Sequence, residues 1–217
     1  MRTYEKIETL YKRDIEGTKK LIPGVYRDPA VEFLKDCDWL WTEKVDGTNI
    51  RVQWDGHEVS FGGRTDNASI PAPLVNRLNE LFGGERTAQV FEQRFEDREV
   101  ILFGEGYGKK IQAAGKHYNP DGVDFILFDV LICGNYQPRD NVAEIAKAFD
   151  VKVVPIVGLG TLDEAVRFVK SNPKSKLGKI AMEGIVCRPF VELRDRNGNR
   201  IICKIKWNDF KEMQDDE

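Results

Sequence analysis

Histidine is nearly absent: His57 and His117 are the only two in 217 residues, and neither stands in an HxH, HExxH or triad-like setting. That argues against histidine acid–base chemistry and against a histidine zinc site. Cysteine is sparse too. Cys37, Cys133, Cys187 and Cys203 lie far apart with no CxxC pair, which speaks against a redox dithiol or thiolate zinc site and predicts buried, reduced thiols. No run approaches the roughly 18 apolar residues a membrane helix needs, and the opening MRTYEKIETLYKRD lacks the apolar stretch of a secretory signal. A cytoplasmic protein is expected. There is also no surplus of positive charge: 33 Lys and Arg against 36 Asp and Glu give −3, so any nucleic-acid partner must be held by a local basic patch.

What is present suits a compact fold. With 41% hydrophobic and 32% charged residues, the chain is expected to form a single domain over 1–217, with 1–38 as an N-terminal extension packed on it. Trp39 to Phe61 alternates as antiparallel paired strands, with a break at Gly47-Thr48 and a turn at Asp55-Gly56. Leu74, Leu78, Leu81 and Phe82 have helical spacing, and a weaker helical pattern carries Val90, Phe91 and Phe95. Val100 to Phe103 and Asp124 to Ile132 are short apolar runs that predict buried strands. Asn141 to Phe149 and Thr161 to Val169 predict helices, the second opened by a capping box of Thr161 and Glu164, with one VKVVPIV strand between them. MEGIVCRP then precedes a hairpin over FVELRDRNGNRIICKIKW, turned at Asn197-Gly198. The fold class predicted is α+β, with antiparallel sheets and flanking helices.

The sharpest chemical feature is Glu43-Lys44-Val45-Asp46-Gly47-Thr48-Asn49, a lysine at a strand end followed at once by a glycine turn. Period-2 geometry puts Lys44 and Asp46 on one strand face and Glu43 and Val45 on the other. A lysine must lose its proton to act as a nucleophile, which calls for desolvation or neighbouring positive charge. The chain offers that charge near its end, where alternation points Lys204 and Lys206 to the side opposite Ile201, Cys203, Ile205 and Trp207. The plain alternative is a solvated edge strand whose lysines blunt aggregation.

KVDGTN resembles motif I, KxDGxN, of the covalent nucleotidyltransferase superfamily, and its final asparagine is the form found in ATP-dependent RNA ligases. Four fixed positions arise by chance in roughly one in several hundred chains of this length. Further matches follow in order, however. Arg64 in SFGGRT resembles motif Ia, Glu105 in FGEGYG motif III, Phe125 to Asp129 motif IIIa, EGIVCRP from Glu183 motif IV, and Lys204-Ile205-Lys206 motif V. The resemblance is strongest to the nick-sealing, double-strand RNA ligase branch, phage-type, and covers the nucleotidyltransferase domain only.

That resemblance implies an ATP-grasp-like adenylation domain in which Lys44 takes AMP from ATP. It further implies that Lys204 and Lys206 neutralise phosphate, that Glu43 receives the adenine amino group, and that Phe125 and Val186 sandwich the base. Glu105 would hold the ribose, from a glycine-rich turn just after a buried strand. Asn49 and Arg64 would contact the nucleotide and a 5′-phosphate, and Glu183 would bind Mg2+ or Mn2+. The implied substrate is RNA with 5′-phosphate and 3′-hydroxyl ends, a nicked duplex among the candidates. The family's OB-fold or helical domain after motif V is not expected here, so the chain would grip its polynucleotide weakly, rely on residues 1–38, or need an accessory protein or domain to supply that grip. A minimal DNA ligase and a non-catalytic nucleotide- or RNA-binding protein on the same fold are the competing readings.

Overall fold

The computed structural model describes residues 1–211 as two compact units interleaved along the chain. An inserted unit comprises Met1–Glu5 and Asp46–Val154; a flanking unit comprises Lys6–Val45 and the chain from Pro155 onward. The segment expected as an N-terminal extension is thus shared, five residues going to the inserted unit and the remainder to the flanking one. Among the described residues no helix is long and apolar enough to cross a membrane.

The chain begins the flanking unit with β1 (Glu8–Thr9), the ribbon β2 (Tyr11–Arg13) and β3 (Leu21–Tyr26), α1 (Pro29–Phe33) and β4 (Trp39–Glu43). It then builds the inserted unit from β5 (Thr48–Trp54), β6 (Val59–Gly62), α2 (Ala72–Phe82), α3 (Glu85–Phe95), β7 (Val100–Gly108), α4 (Gly115–Tyr118), β8 (Val123–Ile132), β9 (Asn135–Tyr136), α5 (Arg139–Ala148) and β10 (Lys152–Val153). The flanking unit is completed by β11 (Ile156–Gly160), α6 (Leu162–Lys170), β12 (Gly184–Pro189) and β13 (Cys203–Lys206).

In the inserted unit the sheet order is β10-β8-β7-β5-β6, with β9 beside β8. One face carries Ile50, Val52, Leu102, Leu127 and Val130 beneath Leu74, Leu78 and Phe82 of α2, Phe91 and Phe95 of α3 and Val142 and Ile145 of α5. The helical periodicity therefore did mark the side that covers the sheet. The other face holds a smaller cluster of Ile101, Phe103, Leu131 and Tyr136, against which Tyr4 and Phe128 pack. Tyr4 also donates its hydroxyl hydrogen to the fully buried Asp129.

In the flanking unit the order is β1-β13-β12-β4-β11. Trp39, Trp41, Ile185, Cys187, Cys203 and Ile205 bury one face against Leu162, Ala165 and Val169 of α6. The capping box at the start of α6 is formed as expected, with Thr161 and Glu164 satisfying each other's backbone N–H groups.

Several local expectations need correction. The strands flanking Gly47 are not a pair: β4 joins β11 and β12, whereas β5 joins β6 and β7. Alternation reports half-burial, not the identity of the neighbour. VKVVPIV is two strands in two sheets, broken at Val154-Pro155, where proline has no N–H to continue a ladder. After Pro189 the turn at Asn197-Gly198 exists, with Gly198 at φ 84°, but in place of a continuous ladder the arms form an isolated Arg194–Arg200 bridge, with the Asp195 N–H donating to the Asn199 carbonyl and the Ile201 N–H to the Leu193 carbonyl. Cys187 and Cys203 are buried opposite each other on β12 and β13, but Cys37 and Cys133 are exposed. The latter pair sit in connections, Cys133 in a left-handed turn at φ 47°.

Candidate active site

The flanking unit gathers the lysines. On β12, Val186 lies in register between Thr42 of β4 and Lys204 of β13, and Gly184 faces Lys206. Residues in register share a sheet face, so Val186, Lys204 and Lys206 project to the side opposite the α6 core. Lys44 follows β4 on that same parity, its N–H donating to the Gly184 carbonyl at 2.9 Å. Glu183 binds two of the cations: one carboxylate oxygen is 2.6 Å from Lys44 Nζ and the other 3.5 Å from Lys206 Nζ. Burial, reinforced by the ammonium groups of Lys44 and Lys206, holds Lys204 below the usual lysine range. Three amines and one carboxylate thus form a positively charged cluster around the motif I lysine.

Glu43 faces the other way. It is 2% exposed, and its carboxylate accepts from the Ser175 hydroxyl and, at 2.8 Å, from the Lys176 N–H. Burial pushes its pKa up, against the pull of those two bonds. In this structure its two oxygens serve the loop that leads into Glu183. That loop partner, Ser175, carried no sequence signal beyond being a polar residue between lysines.

The inserted unit carries the remaining candidates. Glu105 is not in a turn after a strand; it lies within β7, paired with Asn49 on β5 and Ile126 on β8. The strand runs on through the glycines because neighbours occupy the space their side chains would need, the Phe125 ring at Gly104 and Leu74 at Gly106. Asn49 Oδ1 is buried with no hydrogen-bond partner among the described residues, an orphaned acceptor of the kind that marks a missing ligand or water. Arg64 is exposed on the turn after β6.

Phe125 does not join Asn49 and Glu105. Its register partner is Gly106, one residue out of phase with the Asn49–Glu105–Ile126 row, so its ring points to the helix-covered face. There it is 1% exposed and meets Phe82 edge-on at 5.4 Å. The ring belongs to the core. The aromatic of β8 on the opposite face is Phe128, half-buried beside Tyr4 at 5.0 Å. Both phenylalanines sit in FILFD, and a bulge opposite Phe103 and Gly104 shifts the phase by which sequence alternation would choose between them.

A divalent cation has one acidic anchor among the proposed residues, Glu183. Among the described residues no group of three or more His, Cys, Asp or Glu is poised around a metal. The donor set fits an ion that keeps water and substrate oxygens as its other ligands, as Mg2+ and Mn2+ do when one or two carboxylates and phosphates hold them.

Comparison with known proteins gives one family. The RNA ligase family model matches residues 38–206, which spans every motif named above. Solved structures of Naegleria gruberi RNA ligase share the fold. An apo aspartate-to-alanine mutant is 20% identical with a TM-score of 0.64, covering 87% of this chain and 55% of that one. A lysine-to-alanine mutant with ATP and Mn is 19% identical at 0.64, covering 99% and 64%. An arginine-to-alanine mutant with ATP and Mn is 22% identical at 0.64, covering 100% and 59%. The chain therefore spans between 55% and 64% of the length of these structures. With the motifs in order and the family model covering most of its length, this chain belongs to the RNA ligase family.

Proposed function

We propose that the protein is an ATP-dependent RNA ligase working through a covalent lysine–AMP intermediate. The observation that carries this reading is the placement of Lys44 Nζ, 2.6 Å from Glu183 and on the face that presents Lys204 and Lys206. In the first step the unprotonated Lys44 nitrogen attacks the α-phosphate of ATP. A P–N bond forms, the bond from the α-phosphorus to the bridging oxygen breaks, and pyrophosphate leaves. Glu183 is close enough to take the proton that Lys44 must give up. Lys204 and Lys206 neutralise charge gathering on the phosphate oxygens. AMP then passes to a 5′-phosphate of RNA, and a 3′-hydroxyl displaces it to join the strands.

Glu183 would hold a divalent ion, Mg2+ or Mn2+, which when bound supplies further charge neutralisation at phosphate. The Naegleria structures with ATP and Mn are in keeping with that choice. Asn49 and Glu105 bind the nucleotide from one sheet face, and Phe128 takes the base-stacking role that Phe125, inside the core, is badly placed to fill. Val186 supplies an apolar surface on the lysine face. Glu43 supports the Ser175–Lys176 loop and reaches adenine only by exchanging those bonds.

Incubation with α-labelled ATP and Mg2+, followed by denaturing electrophoresis, tests the covalent step. Label should stay on the wild type and be absent from Lys44→Ala; equal labelling of both would overturn the proposal. Comparing nicks with RNA or DNA at the 3′-hydroxyl side then separates an RNA ligase from a minimal DNA ligase.

A further inference from the structure

Arg51 is among the largest side chains buried completely in the molecule, at 0% exposure. A buried arginine is costly unless its donors are used, and here three of them are. Nε donates to the Gly63 carbonyl at 2.6 Å, Nη2 to the Asp66 carboxylate at 2.8 Å, and Nη1 to the Met1 carbonyl at 2.8 Å. The first two bonds grip a four-residue turn at both ends. Between those ends, on Gly63-Arg64-Thr65-Asp66, stands Arg64.

The glycines of SFGGRT make that grip possible. A side chain at Gly62 would come within 3.0 Å of Arg51 Nη2, and one at Gly63 within 2.9 Å of the Ala68 Cβ. Arg51 in turn holds the Asp66 carboxyl below the usual carboxylate range. The Asp66 side chain is 70% exposed, so the bond is made at the surface end of a buried strut. Arg64 is exposed and makes no hydrogen bond or ion pair among the described residues. A fixed base with an uncommitted guanidinium at its tip is what paired recognition of phosphate requires, because the fork is pre-organised and need not first break an internal ion pair.

We infer that Arg51 is a positioning residue, with Asp66 as its outer contact, holding the Gly63–Asp66 turn so that Arg64 presents its guanidinium to a phosphate group. This deepens the ligase reading and rests on it for the source of that phosphate, the 5′ end of RNA or the phosphates of ATP.

The test uses the full chain and two binding arms. One compares a 5′-phosphorylated with a 5′-hydroxyl oligoribonucleotide by fluorescence anisotropy; the other compares ATP with adenosine by calorimetry. A charge-assisted hydrogen bond to phosphate corresponds to a preference of about tenfold or more, which Arg64→Ala should abolish in one arm. Asp66→Ala, made at the exposed end of the pair and checked for folding by circular dichroism, should reduce the same preference several-fold and have no further effect when added to Arg64→Ala. Arg51→Lys, which keeps the charge but loses the fork, should behave like Asp66→Ala. Loss in the RNA arm assigns the phosphate to the polynucleotide, and loss in the ATP arm assigns it to the nucleotide; either supports the role. Full preference in Asp66→Ala, or losses that simply add in the double variant, would overturn it. Failure of the wild type to retain label on Lys44 would instead sink the ligase reading while leaving both binding arms readable.

Discussion

Replacing Glu43 by glutamine isolates what its charge does. The amide introduced there can still accept from the Lys176 N–H and donate to the Ser175 hydroxyl oxygen, so the loop contacts persist without the buried anion. Because burial raises the native pKa of Glu43, the folded chain holds its proton more tightly than the unfolded chain. Wild-type stability is then fully present below the unfolded value of about 4.3 and declines as pH rises through the higher native one. Denaturant midpoints measured across that window should show Glu43→Gln gaining on the wild type with rising pH; a constant difference would mean the carboxyl titrates normally. The phenylalanines of FILFD part ways under the same kind of test. Phe125→Ala should cost about 3–5 kcal/mol of stability, as loss of a core aromatic does. Phe128→Ala should weaken ATP binding by about 1–3 kcal/mol if its ring carries the base. At this scale the residue types of the site were legible, since Lys44, Glu183, Lys204 and Lys206 do come together. Which phenylalanine faces which side was not, because a bulge changes the phase of β8 without leaving a mark in composition.

Among elements, α6 and the motif I turn are the most open to measurement. Thr161 caps α6 with its side chain accepting from the Glu164 N–H. Thr161→Ala should lower stability by about 1 kcal/mol, read as a shift in denaturant midpoint without change in slope. Gly47 is tighter still: an added Cβ would collide with the Gly106 carbonyl and lie 2.8 Å from Glu105 Cγ. Gly47→Ala should therefore cost about 1–3 kcal/mol as overpacking against β7. The four longer helices were read well from the sequence because a 3.6-residue apolar period has few competing explanations, whereas α1 and α4, of five and four residues, are too short to show one. The longer strands were located, and the β5–β6 pair across the Asp55-Gly56 turn is as expected, but the other partners were not read and the strands β1 to β3 were not seen. The Gly47 break looks like a hairpin turn and in fact sends the chain from one sheet to another, and the Val154-Pro155 step does the same in reverse.

For the molecule as a whole, the order of the chain decides what truncation can remove. Lys44 stands before the inserted unit, while Glu183, Lys204 and Lys206 all follow it. Ending the chain at residue 202 should abolish self-adenylylation, yet leave the near-ultraviolet signal of the inserted unit, whose core draws on residues 50–153. The net charge of −3 further predicts a shallow salt dependence. The logarithm of RNA affinity should fall with the logarithm of salt by about 0.7 for each single-strand phosphate contacted, with a total reflecting a few contacts only.

The thiols offer a way to watch the flanking unit alone. Cys37 and Cys133 should react at once with an aqueous alkylating reagent, reporting only that the reagent is active. Cys187 and Cys203, shut between β12 and β13 under α6, can react only when that sheet opens. Their alkylation rate, followed by intact mass, becomes a clock for transient opening around Lys44, and ATP should slow it if the nucleotide settles there.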